Sequence, residues 1–172
     1  MKFTKQMQKG FSLLELLLVV AVGAILILAG LAIYRNVTSQ TQVNEASRLL
    51  NVLKQETQKL YQGEGTYDAA GTNLNEVLIN ANAVPSANVT GANTINSPFD
   101  QAVNVESAGT TFTITYEAVP QGACINMGRL YTANDPDFQQ VVIDGTPLTA
   151  PTVAEVNNNC SDTGSDMVWT FN

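Results

Sequence analysis

The chain has 172 residues and a formal net charge of −7, from 8 Lys and Arg against 15 Asp and Glu, with no histidine. Without histidine, a Ser-His-Asp or Cys-His nucleophile and His-based metal sites are excluded. Beyond Leu60 one basic residue, Arg129, stands against 12 acidic ones, a net of −11, and such a surface repels phosphate, so specific nucleic-acid binding is not expected.

In chain order, a short leader carries Lys2, Lys5 and Lys9 and ends at Gly10. From Leu16 to Tyr34 there are 19 residues without a charge. As a helix they span roughly 28 Å at ~1.5 Å per residue, close to the ~30 Å hydrocarbon core of a bilayer. Nothing downstream is as apolar, so a single N-terminal membrane segment is predicted over residues 11–35. The lysines ahead of it place the N-terminus in the cytoplasm and the remainder outside.

An ordinary secretory signal has its cut site after the apolar stretch; here a glycine precedes it. Cleavage after Gly10 retains the helix, starts the chain at Phe11 and makes Glu15 its fifth residue. A carboxylate in lipid costs about 2.5–3.5 kcal/mol at mid-bilayer, less near an interface, and calls for a partner. The freed α-amino group on Phe11 of a neighbouring copy is one. The competing reading is an interfacial Glu15 that stabilises the helix start through the dipole.

Residues 9–20, K-G-F-S-L-L-E-L-L-L-V-V, resemble the N-terminal signature of the type IV pilins and the related type II secretion pseudopilins. The resemblance implies a prepilin peptidase that cuts between Gly10 and Phe11, recognising the Lys9-Gly10-Phe11 junction, and N-methylates Phe11. It gives Glu15 the role of register and charge partner in an assembled filament. The partners it implies are copies of the same chain, the peptidase and an inner-membrane assembly machinery, with no cofactor and no enzymatic activity.

No proline occurs from Phe11 to Val84, and Gly23 and Gly30 allow close helix contact inside the apolar run. Past residue 35, Val43, Ala46, Leu49, Leu50, Leu53, Thr57, Leu60 and Tyr61 recur at helical spacing among polar residues. A continuous helix from about Ser12 to Gln62 is predicted, ended by Gly63 and Gly65. Residues 36–62 are its amphipathic part and 63–172 the head.

In the head, 74–79 fit a short helix and the rest of 63–104 reads as loop. Phe112, Ile114, Tyr116 and Ala118 alternate with polar residues as a half-buried strand. Gln121–Leu130 fit a helix carrying Cys124, and 140–144 a strand closed by the Asp144-Gly145 turn. Thr149, Pro151 and Val153–Val156 suggest a capped helix leading to Cys160, and 167–171 a last strand. The even cysteine count in an exported domain predicts a Cys124–Cys160 bridge, stabilising by roughly 4 kcal/mol on the chain-entropy model; two free buried thiols are the alternative. Asp135, Asp137, Asp162 and Asp166 are oxygen ligands of the kind calcium takes, but without EF-hand spacing they read as solvated surface.

The expected fold is α+β: a long N-terminal helix packed on an antiparallel sheet. The element order and the Ser97-Pro98-Phe99 turn are similar to type IVb pilin heads such as the bundle-forming pilin, whereas the short leader and Phe11 are more similar to type IVa. The expected function is a pilus subunit, held in the inner membrane with its head in the periplasm before assembly and on the cell surface after. The alternatives are a type II secretion pseudopilin and an anchored periplasmic domain that does not assemble.

Overall fold

Ser12 opens the long helix. The computed structural model describes residues 12–172, apart from the side chains of Ala32, Arg35 and Asn36. The Ser12 hydroxyl accepts a hydrogen bond from the Leu14 N–H at 3.3 Å, an N-cap contact that satisfies one orphan donor of the first turn. Helix α1 (Leu13–Leu60, 48 residues) follows without interruption. The leader and Phe11, and with them the Lys9-Gly10-Phe11 junction, lie outside the described residues.

The chain divides into two compact units, Met1–Ser39 and Gln40–Asn172. In the first, the 19 residues Leu13–Leu31 have a mean hydropathy of 2.7 and no buried side chain. By length and composition this stretch can cross a bilayer.

The second unit is built on the amphipathic part of α1. Val43, Ala46, Leu49, Leu50, Leu53 and Thr57 are buried, as their spacing requires. Leu60 is exposed, and the helix ends there, two residues before the expected limit. The buried Thr57 hydroxyl donates to the Leu53 carbonyl at 2.7 Å, which settles its polar atom inside the helix.

The remaining elements are α2 (Asn75–Asn80), β1 (Ile95–Asn96), β2 (Ala102–Ser107), β3 (Phe112–Val119), α3 (Gln121–Met127), β4 (Phe138–Ile143), β5 (Thr146–Leu148), α4 (Val153–Asn159) and β6 (Ser165–Phe171). The six strands form one antiparallel sheet in the order β1-β2-β3-β6-β4-β5. The last strand is thus inserted between β3 and β4. Register lines up rows of side chains across the buried face: Val105, Ile114, Trp169 and Val141 in one, Val103, Tyr116, Met167 and Ile143 in the next. Every member of both rows is fully buried and belongs to the same core as the α1 stripe. The Tyr116 hydroxyl crosses that core to donate to the Ala46 carbonyl of α1 at 3.2 Å.

Three local differences from the expected elements have physical causes. β1 lies in the stretch read as loop, and β2 begins there. Only Val103 and Val105 supply an apolar alternation there, and the edge of β2 is completed by a side chain. The buried Asn75 amide donates to the Val103 carbonyl at 3.0 Å, and its oxygen accepts from the Val105 N–H at 2.9 Å. Second, Ala118 points outward, not into the core. The β3–β6 register shifts between Tyr116 and Val119, with Ala118 at φ +45°, so one extra residue is accommodated there. Third, Thr152, not Thr149, caps α4. Its hydroxyl accepts from the Glu155 N–H at 3.3 Å while the Glu155 carboxylate accepts from the Thr152 N–H at 3.0 Å, a reciprocal capping box.

Candidate assembly site and head surface

Glu15 lies in the first turn of α1, where a negative charge favours the helix N-terminus. Its backbone N–H donates to the Ser12 carbonyl at 3.0 Å. Its carboxylate has no partner among the described residues, and the Ser12 hydroxyl accepts from Leu14 and not from Glu15, so the capping box that a Ser12-x-x-Glu15 spacing permits is not made. The side chains around it, Leu13, Leu14, Leu16 and Leu17, are all more than half exposed. Among the described residues, one acid therefore stands without a partner on a largely apolar, uncovered surface.

In the head most charged groups are already committed. Lys54 of α1 pairs with Asp137 at 3.3 Å and lies 5.0 and 5.2 Å from the ring centroids of Tyr131 and Phe171, its side chain only 13 % exposed. Three residues before it, Asn51 accepts from the Tyr131 hydroxyl at 2.7 Å; four residues after it, Gln58 donates to the Asn172 carbonyl at 2.9 Å. These three positions share one flank of α1 and fasten it to the 131–138 segment and the chain end. Burial, with Asp135 nearby, pushes the Tyr131 phenol up to about 12. Burial also raises Tyr116 well above its usual value, with Tyr131 contributing.

Of the acids considered as calcium ligands, Asp162 is exposed and makes no side-chain hydrogen bond or ion pair, and the other three serve the fold. The Asp135 carboxylate accepts from the Thr132 N–H at 2.8 Å, and Asp137 holds Lys54. Asp166 accepts from the Ala118 N–H at 2.9 Å, so it secures the bulge, and Asp144 accepts from the Asp166 N–H at 2.9 Å. Among the described residues no three metal-binding side chains converge. Asn88, in an N-glycosylation pattern, donates its amide to the Asn96 carbonyl at 2.9 Å, and so is tied into the fold.

Cys124 and Cys160 form a disulfide, with Cα atoms 5.9 Å apart. The bridge links α3 to the residue that ends α4, just ahead of β6. It closes the segment that carries β4 and β5 around the inserted strand.

Sequence reasoning missed one feature of the head. Glu45 and Arg48 of α1, together with Asn88, Asn96 and Asp100, line an open concavity of about 400 Å³. Arg48 is exposed and unpaired, and neither Glu45 nor Asp100 forms an ion pair with it. A lone arginine on a polar helix face gives no signal of a concavity, because the opposite wall comes from a loop about 50 residues on.

A protein-family profile described as "PilS N terminal" matches residues 39–172, and one described as "Prokaryotic N-terminal methylation motif" matches residues 5–31. Fimbrial protein EcpC of Eikenella corrodens is 32% identical over 139 residues, 78% of this chain and 81% of that protein. The type IV major pilin protein PilE of Neisseria gonorrhoeae is 30% identical over 108 residues, 63% of this chain and 57% of PilE. The chain belongs to the type IV pilin family.

Solved pilin structures carry the same fold. A type IVb pilin from Salmonella typhi superposes with a TM-score of 0.53 at 22% identity, over 77% of this chain and 97% of that one. TcpA, a type IV pilin from Vibrio cholerae El Tor biotype, gives 0.52 at 16% identity, over 77% and 99%. In this pilin the apolar stretch Leu13–Leu31 is long and apolar enough to cross a membrane, and the α+β unit begins within α1.

Proposed function

We propose that this pilin is cut after Gly10, N-methylated on Phe11 and polymerised through its N-terminal helix into a surface filament. Before assembly the apolar helix sits in the inner membrane with the head in the periplasm. In the filament the same helix bundles with its copies, and the role is structural, with no catalytic step. The partners in this reading are copies of the chain, the prepilin peptidase and the inner-membrane machinery that extracts subunits.

The observation that carries the reading is the Glu15 carboxylate, bare on an apolar surface. In a dry bundle an unpaired carboxylate costs several kcal/mol. Cleavage ahead of Phe11 creates a cationic amine of pKa ~7.7–8.0 four residues away in sequence, protonated for most of the population at neutral pH. An amine on an adjacent copy pairs with Glu15 once two helices are offset, so the pair favours one register. The match of the methylation-motif profile to residues 5–31 supports the processing step.

The test is Glu15→Ala in cells expressing the full chain, with sheared filaments imaged and membrane-bound subunit quantified. Filaments should be lost while the subunit accumulates at its usual level in the membrane. Normal filaments from E15A would rule out the charge pair.

A further inference from the structure

A smaller recess, of about 190 Å³, lies where α1 gives way to the loops of the head. Its lining includes Tyr61, Glu64, Thr66, Tyr67, Thr110 and Asn172, and no lysine or arginine. Local structure holds these residues together. Past the end of α1 the Glu64 N–H donates to the Tyr61 carbonyl at 3.0 Å, a turn that brings Glu64 back beside the helix. The Tyr67 N–H donates to the Gly109 carbonyl at 2.8 Å, which ties this loop to the β2–β3 connection next to Thr110. The Tyr67 ring is seated on buried Phe112, with centroids 4.7 Å apart, and the Tyr61 ring stands 5.7 Å from it, inclined at 59°. Asn172 is fixed too, its N–H donating to the Asp137 carbonyl at 2.8 Å.

The recess is chemically unspent and its charge has one sign. The side chains of Tyr61, Glu64, Thr66, Tyr67 and Thr110 make no hydrogen bond or ion pair among the described residues. Burial, with Asp68 and Glu64, raises the Tyr61 phenol above its usual value, and burial, with Asp137, raises that of Tyr67. The lysines at this end of α1 are already paired, Lys54 with Asp137 and Lys59 with Glu56. A concave site with acids around it and no free cation in its lining repels anions and concentrates cations.

We infer that this recess binds a small organic ammonium group of the choline type. A methylated ammonium has a diffuse charge under an apolar shell. Aromatic rings attract it through their quadrupole, and a carboxylate at the rim neutralises it. Tyr61 and Tyr67 supply two rings set at an angle, and Glu64 supplies the carboxylate. Such a ligand asks for no hydrogen bond, so Thr66 and Thr110 keep their water. The volume is below the roughly 300–1,000 Å³ of sites for drug-sized ligands, which suits a head group and little more. The binding does not depend on assembly.

The experiment titrates choline chloride into the full chain in a maltoside detergent, by isothermal calorimetry, against sodium chloride at equal ionic strength. Saturable binding is expected with choline alone. The uncharged analogue in which carbon replaces the nitrogen should bind about ten-fold more weakly or worse. Tyr61→Ala and Glu64→Gln should each weaken choline about five-fold or more with the thermal midpoint unchanged, and Tyr61→Phe, which keeps the ring, should retain it. Glycerophosphocholine, the soluble head group of a choline lipid, separates two sources of the ligand. Affinity equal to that of choline marks a lipid head group, and weaker binding marks a free ammonium compound. Absence of saturable binding overturns the inference. So does equal binding of the uncharged analogue, or undiminished binding in either Y61A or E64Q.

Discussion

Lys54 shows how a charge can be buried in this head at little cost. Its ammonium is held by one carboxylate and two ring faces, and Asp137 keeps a wet side, being 45 % exposed. Lys54→Ala removes the ion pair and both ring contacts at once, and should destabilise the head by about 2 kcal/mol, measured by denaturant unfolding. Two buried tyrosines of the head make stability fall at high pH. Tyr116 and Tyr131 are both held protonated in the fold, chiefly by burial, Tyr131 up to about 12. A free tyrosine ionises near pH ~10. A folded value above the unfolded one means that the contribution is whole below about pH 10 and is lost as pH rises toward 12. Thermal midpoints should therefore drop steeply above about pH 10, and Tyr131→Phe should flatten that drop. A midpoint independent of pH in that range would mean that these phenols are not buried.

Elements differ in how plainly the chain announces them. The α1 stripe was readable because six of its eight named positions are buried on one helical face. The β4–β5 hairpin was half readable. Asp144 at φ +46° and Gly145 at φ +83° make the two-residue turn that Asp-Gly favours, but Pro147 in a three-residue edge strand hides β5. β2 was not readable, because its inward side chains are few and its edge is satisfied by Asn75. Ala118 was placed on the wrong face for a similar reason. Its bulge depends on Gly164, where an added Cβ would come within 3.2 Å of the Ala118 carbonyl, and on the Asp166 carboxylate. Neither is adjacent in sequence. Asp166→Ala should therefore weaken the β3–β6 junction, with a loss of about 0.5–1.5 kcal/mol, since it removes one hydrogen bond to an exposed backbone N–H. Just ahead of the same strand, Cys124→Ser with Cys160→Ser should cost about 4 kcal/mol, read from the shift in unfolding midpoint.

At the scale of the whole molecule, the division at Gln40 separates two kinds of surface. Among the described residues every buried apolar one belongs to the head, from Val43 to Phe171, whereas the described apolar positions before residue 40 are almost all exposed. A fragment starting at Gln40 should accordingly be soluble without detergent and unfold in one cooperative transition; a molten or aggregating fragment would mean that the head needs the first unit to fold. What was legible divides in the same way. Glu15 and the junction at Gly10 were legible as a motif, because their chemistry is set by neighbours a few residues away. The Arg48 recess was not, because it is made by distant segments. The central claim remains that a trimmed, cationic chain start meets Glu15 of a neighbour. Its most direct test is the mass of the N-terminal peptide from filaments sheared off the cell. That peptide should begin at Phe11 and carry a methyl group on its amine; a filament subunit that still begins at Met1 would contradict it.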